Sequence, residues 1–337
     1  MSAFPSVIAS SPAPCARRVS GPTPGVGWDR GDWSSVTGSH SIAGPGPGVA
    51  SAPGERIVDW YAVAARDLPW RRPGTDPWWV LVSEVMLQQT PVARVEPVWH
   101  AWTARWPTPA TLAEATPADV IRAWGKLGYP RRALRLREAA IAICARHGGV
   151  VPSDVTELEA LPGIGTYTAR AVACFGHGQR QPVVDTNVRR VVARLVHGQA
   201  EAAPARASDL VDIAALAPAD HDRAVTFSVA TMELGALLCV SGTPRCSGCP
   251  VRDQCAWVLR GSPAYDGPPK KVQRFAGTDR QVRGRMLDVL RAASEPVEQL
   301  QLDAVWNDAV QRARCQDSLL VDGLVVQTPD GRFTLPG

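Results

Sequence analysis

The stretch LPGIGTYTARAVACFGHGQRQPVVDTNVRRVVAR, from Leu161 to Arg194, decides the fold. Gly163 and Gly165 permit a tight turn that bulkier side chains would obstruct, and we expect Thr166 to cap the helix that follows. The start of a helix exposes unpaired backbone N–H groups, which bind anions. In a basic protein the large anion that fits best is a nucleic-acid phosphate, so the sequence predicts a phosphate-binding turn here.

The same stretch continues into a second turn that carries one carboxylate. Asp185 follows two valines in Val-Val-Asp-Thr-Asn-Val and precedes another helical pattern. An aspartate at this place is a typical N-cap, because its side chain accepts hydrogen bonds from N–H groups of the first helical turn. We therefore expect the Asp185 carboxylate to be held in a fixed position.

The overall composition sets broad limits. The chain has 337 residues, is 45% hydrophobic and carries a formal net charge of +4. This length suits two modest domains and a tail, while the mild charge gives only weak support for a polyanionic partner. We find no apolar stretch that could cross a membrane and no secretory signal pattern, so we expect a cytoplasmic protein with no membrane partner.

The order of patterns along the chain predicts its domains. Residues 1–54 are rich in Ser, Pro, Gly and Ala and are predicted to form a disordered tail. Helical periodicity begins at Glu55 and recurs up to residue 260, without an alternating strand pattern of useful length. Short connections between these helices favour an all-α core over residues 55–260.

The remainder of the chain divides into two parts. Residues 261–285 are predicted to be a basic linker, which is either solvated or in contact with phosphates. Its basic side chains are Lys270, Lys271, Arg274, Arg280, Arg283 and Arg285. Residues 286–337 are predicted to form a small α+β module, with helices over 286–293 and 305–315 and a hairpin between 319–326 and 333–335.

A lone glutamate, Glu84, interrupts the apolar helical pattern from Trp78 to Thr90. Burial raises the pKa of a carboxyl group and keeps its proton available near neutral pH. The helix is apolar on both sides of Glu84 and ends in Gln-Gln-Thr, which favours a ligand-facing helix end over a solvent-exposed flank. One protonated and one ionised carboxyl group, Glu84 and Asp185, would suit cleavage of a glycosidic bond.

Four of the eight cysteines lie in one short segment, with six, two and five residues between them: Cys239, Cys246, Cys249 and Cys255. Four thiolates in a compact loop suit either a zinc ion or an iron–sulfur cluster, because both take four sulfur ligands. The spacing differs from the paired Cys-x2-Cys arms of a zinc ribbon and favours a cluster. Disulfides are disfavoured in a cytoplasmic chain.

These motifs together resemble the MutY-type adenine DNA glycosylases of the helix-hairpin-helix superfamily, over residues 56–258. The resemblance rests on LPWR (68–71), SEVMLQQT (83–90), LGY (127–129), LPGIGTYTA (161–169), VDTNV (184–188), ELGA (233–236) and the four-cysteine loop 239–255. It implies two all-helical lobes, a six-helix barrel and an iron–sulfur cluster lobe, with DNA in the groove between them. It also implies that the protein flips adenine out of mispairs with 8-oxoguanine or guanine in double-stranded DNA and removes it. We expect a nucleoid-associated monomer, since one molecule spans a single lesion.

The resemblance further implies roles for individual residues. Glu84 would protonate the departing adenine, Asp185 would stabilise the cationic sugar or attack it, and Tyr167 would line the same site. The positions matching DNA or base contacts are Trp70, Arg71, Gln89, Thr90, Leu127, Gly128, Tyr129, Gly163, Gly165, Asn187 and Glu233; for Glu233 a structural role in its helix is the alternative. The ligands of the implied 4Fe–4S cluster would be Cys239, Cys246, Cys249 and Cys255.

Two positions separate this chain from relatives of the same superfamily. Tyr167 stands where endonuclease III-type lyases carry the lysine that forms a Schiff base, so we expect a monofunctional glycosylase. Glu84 stands where thymine-mismatch glycosylases lack a glutamate. The alternatives are such a related mismatch glycosylase, or a non-catalytic DNA-binding or damage-sensing protein, which would need neither Glu84 nor Asp185.

The sequence also departs from the MutY-type pattern. Pro130 replaces a second aromatic that often follows the tyrosine of the LGY motif. The module over 286–337 is much shorter than the Nudix-like domain with which longer relatives recognise 8-oxoguanine, and we find no remnant of that domain. The basis for recognising 8-oxoguanine therefore stays open at the level of sequence.

Overall fold

The computed structural model describes residues 51–267 and 275–337. Most of the predicted tail, together with Lys270, Lys271 and Arg274 of the basic run, lies outside the described residues. The described part is largely helical with two short strands, which confirms the predicted all-α core. None of the helices in these two ranges is long and apolar enough to span a membrane.

Between residues 51 and 267 the structure has twelve α-helices. They are α1 (Pro53–Ala64), α2 (Pro77–Leu87), α3 (Val92–Arg105), α4 (Pro109–Ala113), α5 (Pro117–Trp124), α6 (Arg131–His147), α7 (Val155–Glu159), α8 (Thr166–Phe175), α9 (Thr186–Leu195), α10 (Ser208–Leu216), α11 (His221–Leu237) and α12 (Ala256–Leu259). The elements after residue 275 are α13 (Asp279–Ala292), α14 (Gln299–Asp303), α15 (Ala309–Val321), β1 (Val326–Gln327) and β2 (Phe333–Thr334).

Helices α2 to α8 form the first lobe around a continuous core rich in tryptophan. Trp78, Trp102 and Trp124 are fully buried in it. Trp102 contacts Trp106 and Trp124 edge to face, with ring centroids 4.8 and 5.4 Å apart, an arrangement that adds to the free energy gained by burying the rings. This lobe provides a rigid frame for the ends of α2, α6 and α8.

The second lobe joins the N-terminal helix α1 to α9, α10 and α11, as the resemblance implies. Its core includes Ile57 of α1, Val188 of α9, Phe227 of α11 and Cys255 of the cysteine loop. Segments that are distant in sequence therefore meet in one core, which places the cysteine loop against α9.

The C-terminal module has a core of its own that also includes a residue of the first lobe. Val282, Met286 and Phe333 pack with Ile121 of α5, which is fully buried. Strands β1 and β2 pair antiparallel, and Phe333 also pairs with Val297. The α+β composition agrees with the prediction, whereas several element boundaries differ from it.

Two boundaries predicted for the module are wrong. The strand predicted over 319–326 is largely helix and turn, because Cys315 and Leu319 lie one helical turn apart and are both buried on the inner face of α15. The paired part of the hairpin is reduced to two residues on each strand. In addition, α13 begins at Asp279, so Arg280, Arg283 and Arg285 belong to a helix rather than to a linker.

Candidate active site

Glu84 lies in the middle of α2, where the side chains around it are almost all buried. Its own exposed fraction is 5%. Burial raises the pKa of the Glu84 carboxyl to about 7, against the opposing effects of a hydrogen bond from Tyr167 and the charge of Arg71. The sequence-based expectation of a buried carboxyl group at this position agrees with the structure.

Tyr167 is the second residue of α8 and lies directly beyond the glycine turn. Its hydroxyl donates a hydrogen bond to Glu84 Oε2 over 3.0 Å. Burial, together with the charges of Glu84 and Asp185, raises the pKa of the Tyr167 phenol well above its ordinary value. The phenol therefore stays protonated and acts as a hydrogen-bond donor to the carboxyl group.

Asp185 is the N-cap residue of α9, as the sequence predicts. Its Oδ1 accepts a hydrogen bond from the Val188 N–H over 2.7 Å, and its Oδ2 accepts one from Asn187 Nδ2 over 2.8 Å. Its charge raises the pKa of both Glu84 and Tyr167. The structure thus brings Glu84, Tyr167 and Asp185, from α2, α8 and α9, into one electrostatically coupled site.

Glu233 of α11 is fully buried beside this site and is held by two arginines. Arg66 donates to both of its carboxylate oxygens over 2.6 and 2.7 Å, and Arg71 donates to Oε2 over 2.7 Å. Burial alone would raise the pKa of Glu233, but these guanidinium groups hold it at about 2. Glu233 is therefore ionised near neutral pH, and its hydrogen bond with Arg71 holds that guanidinium close to Glu84.

The other predicted contact residues form two turns at one end of the first lobe. Gln89 and Tyr129 are exposed and adopt the left-handed backbone conformation, with φ of 56° and 47°. Thr90 is buried and donates to the Leu127 carbonyl over 3.1 Å, which ties the turns together. Gly128, with φ of 84°, provides the bend before Tyr129.

A residue that the sequence did not single out, Arg132, organises both turns. Its Nη1 donates to the carbonyls of Val85 and Gln88 over 2.7 and 2.6 Å, and its Nη2 donates to Gly128 over 3.0 Å. The guanidinium also lies 5.7 Å from the Tyr129 ring centroid. No signal in the sequence distinguishes it from the other arginines of α6.

The glycine turn differs in one respect from the expectation. The expected cap at Thr166 is wrong, because Gly165 is the N-cap of α8 and, among the described residues, no side chain caps this helix. Gly163 has a φ of 78°, and a Cβ there would lie 2.7 Å from Arg135 Cβ. Between Gly163, Gln88 and the start of α6 lies a cavity of about 290 Å³.

Besides Thr90 and Glu233, the predicted contact residues Trp70 and Leu127 are also buried in the structure. Trp70 is 3% exposed and packs edge to face on Trp99, with centroids 5.7 Å apart. Leu127 is 4% exposed in the same core. Both side chains stabilise the elements that carry Arg71 and Tyr129, and neither presents a surface to DNA in this conformation.

The four spaced cysteines are all unpaired thiols in the second lobe. Burial raises the pKa of the Cys249 thiol to about 11, and the charges of Cys239, Cys255 and Cys246 raise it as well. Within residues 51–267 and 275–337, no three His, Cys, Asp or Glu side chains are arranged to hold a single metal ion. Arg194 Nη1 lies 3.4 Å from Cys239 Sγ, which provides a cationic donor to this sulfur.

Comparisons with known proteins show the family of the chain. Residues 82–211 match the family model described as HhH-GPD superfamily base excision DNA repair protein. An adenine DNA glycosylase of Mycobacterium tuberculosis (strain CDC 1551 / Oshkosh) is 59% identical over 283 residues, which are 83% of this chain and 92% of that protein. The chain belongs to the adenine DNA glycosylases.

Two further comparisons extend this assignment. The adenine DNA glycosylase of Mycolicibacterium smegmatis is 60% identical to this glycosylase over 282 residues. The matched residues are 83% of the chain described here and 95% of the relative. The solved structure of a thermostable thymine-DNA glycosylase superposes with a TM-score of 0.56 at 25% identity, covering 61% of the glycosylase described here and 95% of that chain. The predicted family and enzyme class, a DNA glycosylase that cleaves an N-glycosidic bond, are confirmed.

A second residue of the glycosylase that the sequence reasoning missed is Arg190 of α9. Its Nη2 donates to Asn187 Oδ1 over 2.8 Å and to the Gly235 carbonyl over 2.7 Å, while its Nε donates to the Cys239 carbonyl over 2.6 Å. Hydrogen bonds therefore run without a break from Asp185 through Asn187 and Arg190 to the cysteine loop. Its position three residues after Asn187, on the same face of α9, is the sequence signal that could have indicated it.

Proposed function

We propose that this adenine DNA glycosylase excises adenine paired with 8-oxoguanine or guanine in double-stranded DNA, as a cytoplasmic, nucleoid-associated monomer. The observation that carries the proposal is the buried Glu84 carboxyl, with a pKa of about 7, that shares a site with the carboxylate of Asp185. Glycosidic bond cleavage needs one carboxyl group that is an acid and another that is an anion.

In the first step Glu84 gives its proton to a ring nitrogen of the flipped adenine. The bond between the sugar and adenine breaks, the bonding electron pair leaves with the base, and an oxocarbenium-like sugar remains. Asp185 stabilises this positive charge, and its oxygens are oriented by the donors Val188 N and Asn187 Nδ2.

In the second step the Glu84 carboxylate accepts a proton from water as the water oxygen bonds to the sugar, which restores the acid. Tyr167 keeps the Glu84 carboxyl oriented through its 3.0 Å hydrogen bond in both steps. Because Tyr167 offers a phenol and no amine, no Schiff base forms with the sugar, and the DNA strand stays intact.

DNA would lie along the face that carries the glycine turn and the two exposed turns. Gly163, Gly165 and the uncapped start of α8 suit a backbone phosphate, since N–H groups at a helix start attract anions. Gln89 and Tyr129 would probe the duplex, and an exposed aromatic on a bend suits stacking between bases. Arg71, which Glu233 holds beside Glu84, would contact the flipped adenine.

The cysteine loop fits a 4Fe–4S cluster as the bound cofactor. Cys239, Cys246, Cys249 and Cys255 would be its ligands, and the Arg194 guanidinium beside Cys239 Sγ suits an anionic set of thiolates. When bound, the cluster supplies four metal–sulfur links that close the loop over 239–255. Those links would hold the loop against α9, whose N-cap is Asp185.

Single-turnover glycosylase assays test the proposal. Duplexes with adenine opposite 8-oxoguanine, guanine, cytosine or thymine are incubated with excess protein, and strand breaks are read with and without alkali. We expect strand breaks only in the samples that are treated with alkali after the reaction. Adenine release should be faster opposite 8-oxoguanine and guanine than opposite cytosine and thymine. Glu84→Gln should abolish release, whereas the control Glu138→Gln, whose side chain is 45% exposed, should not. Wild-type protein that binds all duplexes but releases no adenine would favour a damage-sensing protein instead.

A further inference from the structure

The C-terminal module is fastened to the helices that carry the exposed tyrosine turn. Ile121 of α5 lies in the module's core, and the Ile121 carbonyl accepts a hydrogen bond from Arg291 over 3.2 Å. On the other side of the turn, Arg131 of α6 pairs with Asp322 of the module over 3.1 Å. The module therefore contacts both helices, α5 and α6, that flank the turn at residues 127–129.

One arginine of the module reaches the turn itself. Arg280, in the first turn of α13, donates from Nη1 to the Tyr129 hydroxyl over 3.4 Å, and its guanidinium lies 5.8 Å from the centroid of that ring. Phe275, which is 56% exposed, lies 5.9 Å from the same guanidinium. Two exposed aromatic rings and one guanidinium thus share the edge of the molecule that would enter the duplex.

The charges of the module argue against a broad phosphate-binding surface. Residues 275–337 contain nine acidic side chains and seven arginines. Six of these arginines contact carboxylates or carbonyls of the module or the first lobe; they are Arg283, Arg285, Arg291, Arg312, Arg314 and Arg332. Arg280 is the arginine of this set whose guanidinium lies against the tyrosine turn.

We propose that Arg280 is a specificity-determining residue that recognises the base opposite the flipped adenine. This proposal rests on the proposed function. When Tyr129 enters the base stack, the guanidinium beside its hydroxyl comes next to the orphaned base. Its forked N–H donors match the neighbouring acceptors O6 and N7 on the major-groove edge of guanine. On 8-oxoguanine N7 carries a hydrogen, so a single N–H donates to O6 or O8, whereas the same edge of cytosine carries an amino donor and that of thymine a single acceptor.

The test compares Arg280→Ala and Arg280→Lys with Arg285→Ala, a matched control. Arg285 is also an exposed arginine of α13, but its guanidinium contacts the Val305 carbonyl and lies 5.1 Å from the Trp306 ring, away from the turn. Affinity is measured in the non-cutting Glu84→Gln background, on duplexes with adenine opposite 8-oxoguanine, guanine, cytosine or thymine. Because binding is read directly, the test stays valid if the wild type fails to release adenine, which would overturn the proposed function alone.

We expect Arg280→Ala to reduce the preference for guanine over cytosine by about tenfold, the lower range for one bidentate contact to a base, with a smaller reduction for 8-oxoguanine, which accepts a single hydrogen bond. Arg280→Lys keeps the charge but loses the fork, so it should lose the preference as well, while Arg285→Ala should keep it. An unchanged preference in Arg280→Ala overturns the proposal. An equal loss of affinity on all four duplexes, with a shallower salt dependence, also overturns it, because that result assigns Arg280 to a phosphate.

Discussion

The Glu84 carboxyl lies in an environment that suits its chemistry and weakens the fold. It is buried among apolar side chains of α2, so the proton needed for catalysis is retained because ionisation there is unfavourable. Above the pKa of about 7 the same burial confines a negative charge, at a cost in folding free energy. Activity and stability should therefore respond to pH through this residue.

The first prediction concerns the pH dependence of excision. Glu84 carries its proton below a pKa of about 7 and loses it above, so the single-turnover rate should fall about tenfold for each pH unit well above 7. Single-turnover rates between pH 6 and 9 measure this directly. A rate that stays constant over this range would show that Glu84 does not act as the acid.

The second prediction concerns stability. The pKa of Glu84 rises from an ordinary value of 4.5 to about 7 on folding, so its protonation favours the folded state at low pH, and this contribution is lost as pH rises through 7. Glu84→Gln removes the charge but keeps an acceptor for Tyr167. We expect it to be about 3 kcal/mol more stable than wild type at pH 8, with a much smaller gain at pH 5. Equal Tm differences at both pH values would contradict this.

Single residues differ in how far the sequence reveals them. Glu84 stands out because a lone acid in an apolar helix is costly to bury and is seldom found there without a chemical use, and Asp185 stands out because caps follow a local rule. Arg132 does not stand out, since α6 begins with several arginines and local pattern does not show which of them is buried. Its importance comes from tertiary contacts between segments distant in sequence.

At the scale of elements, the ends of helices carry the site. The last residues of α2 and the turn before α6 share the Arg132 guanidinium, which satisfies carbonyls that would otherwise lack hydrogen-bond partners. Gln89 and Tyr129 follow these carbonyls in strained left-handed conformations. Their geometry should therefore depend on one side chain from a third segment.

The third prediction follows from this shared support. Arg132→Ala leaves several buried carbonyls unpaired, and each hydrogen bond to a charged donor is worth about 1.5–3 kcal/mol. We expect a loss of at least about 3 kcal/mol in unfolding free energy, together with weaker binding to mispaired duplexes. Arg146→Ala on the same helix, where the side chain is exposed, is the control. A variant with wild-type stability and affinity would contradict the assignment.

Element boundaries were predictable where a local rule decides them. The Asp185 cap was correct, whereas α8 begins one residue earlier than a cap at Thr166 would place it, because Gly165 takes the N-cap position. In the C-terminal module, Leu319 and Leu320 suit a strand as well as a helix in a short window. Packing against Val282 and Phe333 decides in favour of the helix, and a local pattern does not contain that contact.

At the scale of the whole molecule, two cores and the cysteine loop hold the site between them. The first lobe supplies Glu84 and Tyr167, and the second supplies Asp185, so the catalytic arrangement exists only when the lobes keep their relative position. The second lobe contains the cysteine loop, whose residue Cys255 packs with Val188 of α9. If the cysteine loop loses its ordered structure, α9 should shift, and the position of the Asp185 carboxylate should change with it.

The fourth prediction concerns the cofactor. Purified protein should be brown, absorb broadly in the visible blue and contain roughly four iron atoms per chain, as expected for one 4Fe–4S cluster. Cys249→Ser should lower the iron content, the absorbance and the thermal stability, whereas Cys144→Ser, outside the loop, should change none of them. Zinc in place of iron and labile sulfide would show that the loop holds a different centre.

Ile121 of the first lobe is fully buried in the core of the C-terminal module, so the module should stay bound even when the chain is not continuous. What keeps the module in place is a shared interior rather than the peptide connection. A chain cut between residues 261 and 278 should therefore co-elute as one complex of two pieces, and the pieces expressed from separate genes should reassemble. Ile121→Asp should release the smaller piece, which size-exclusion chromatography of the cut protein would detect.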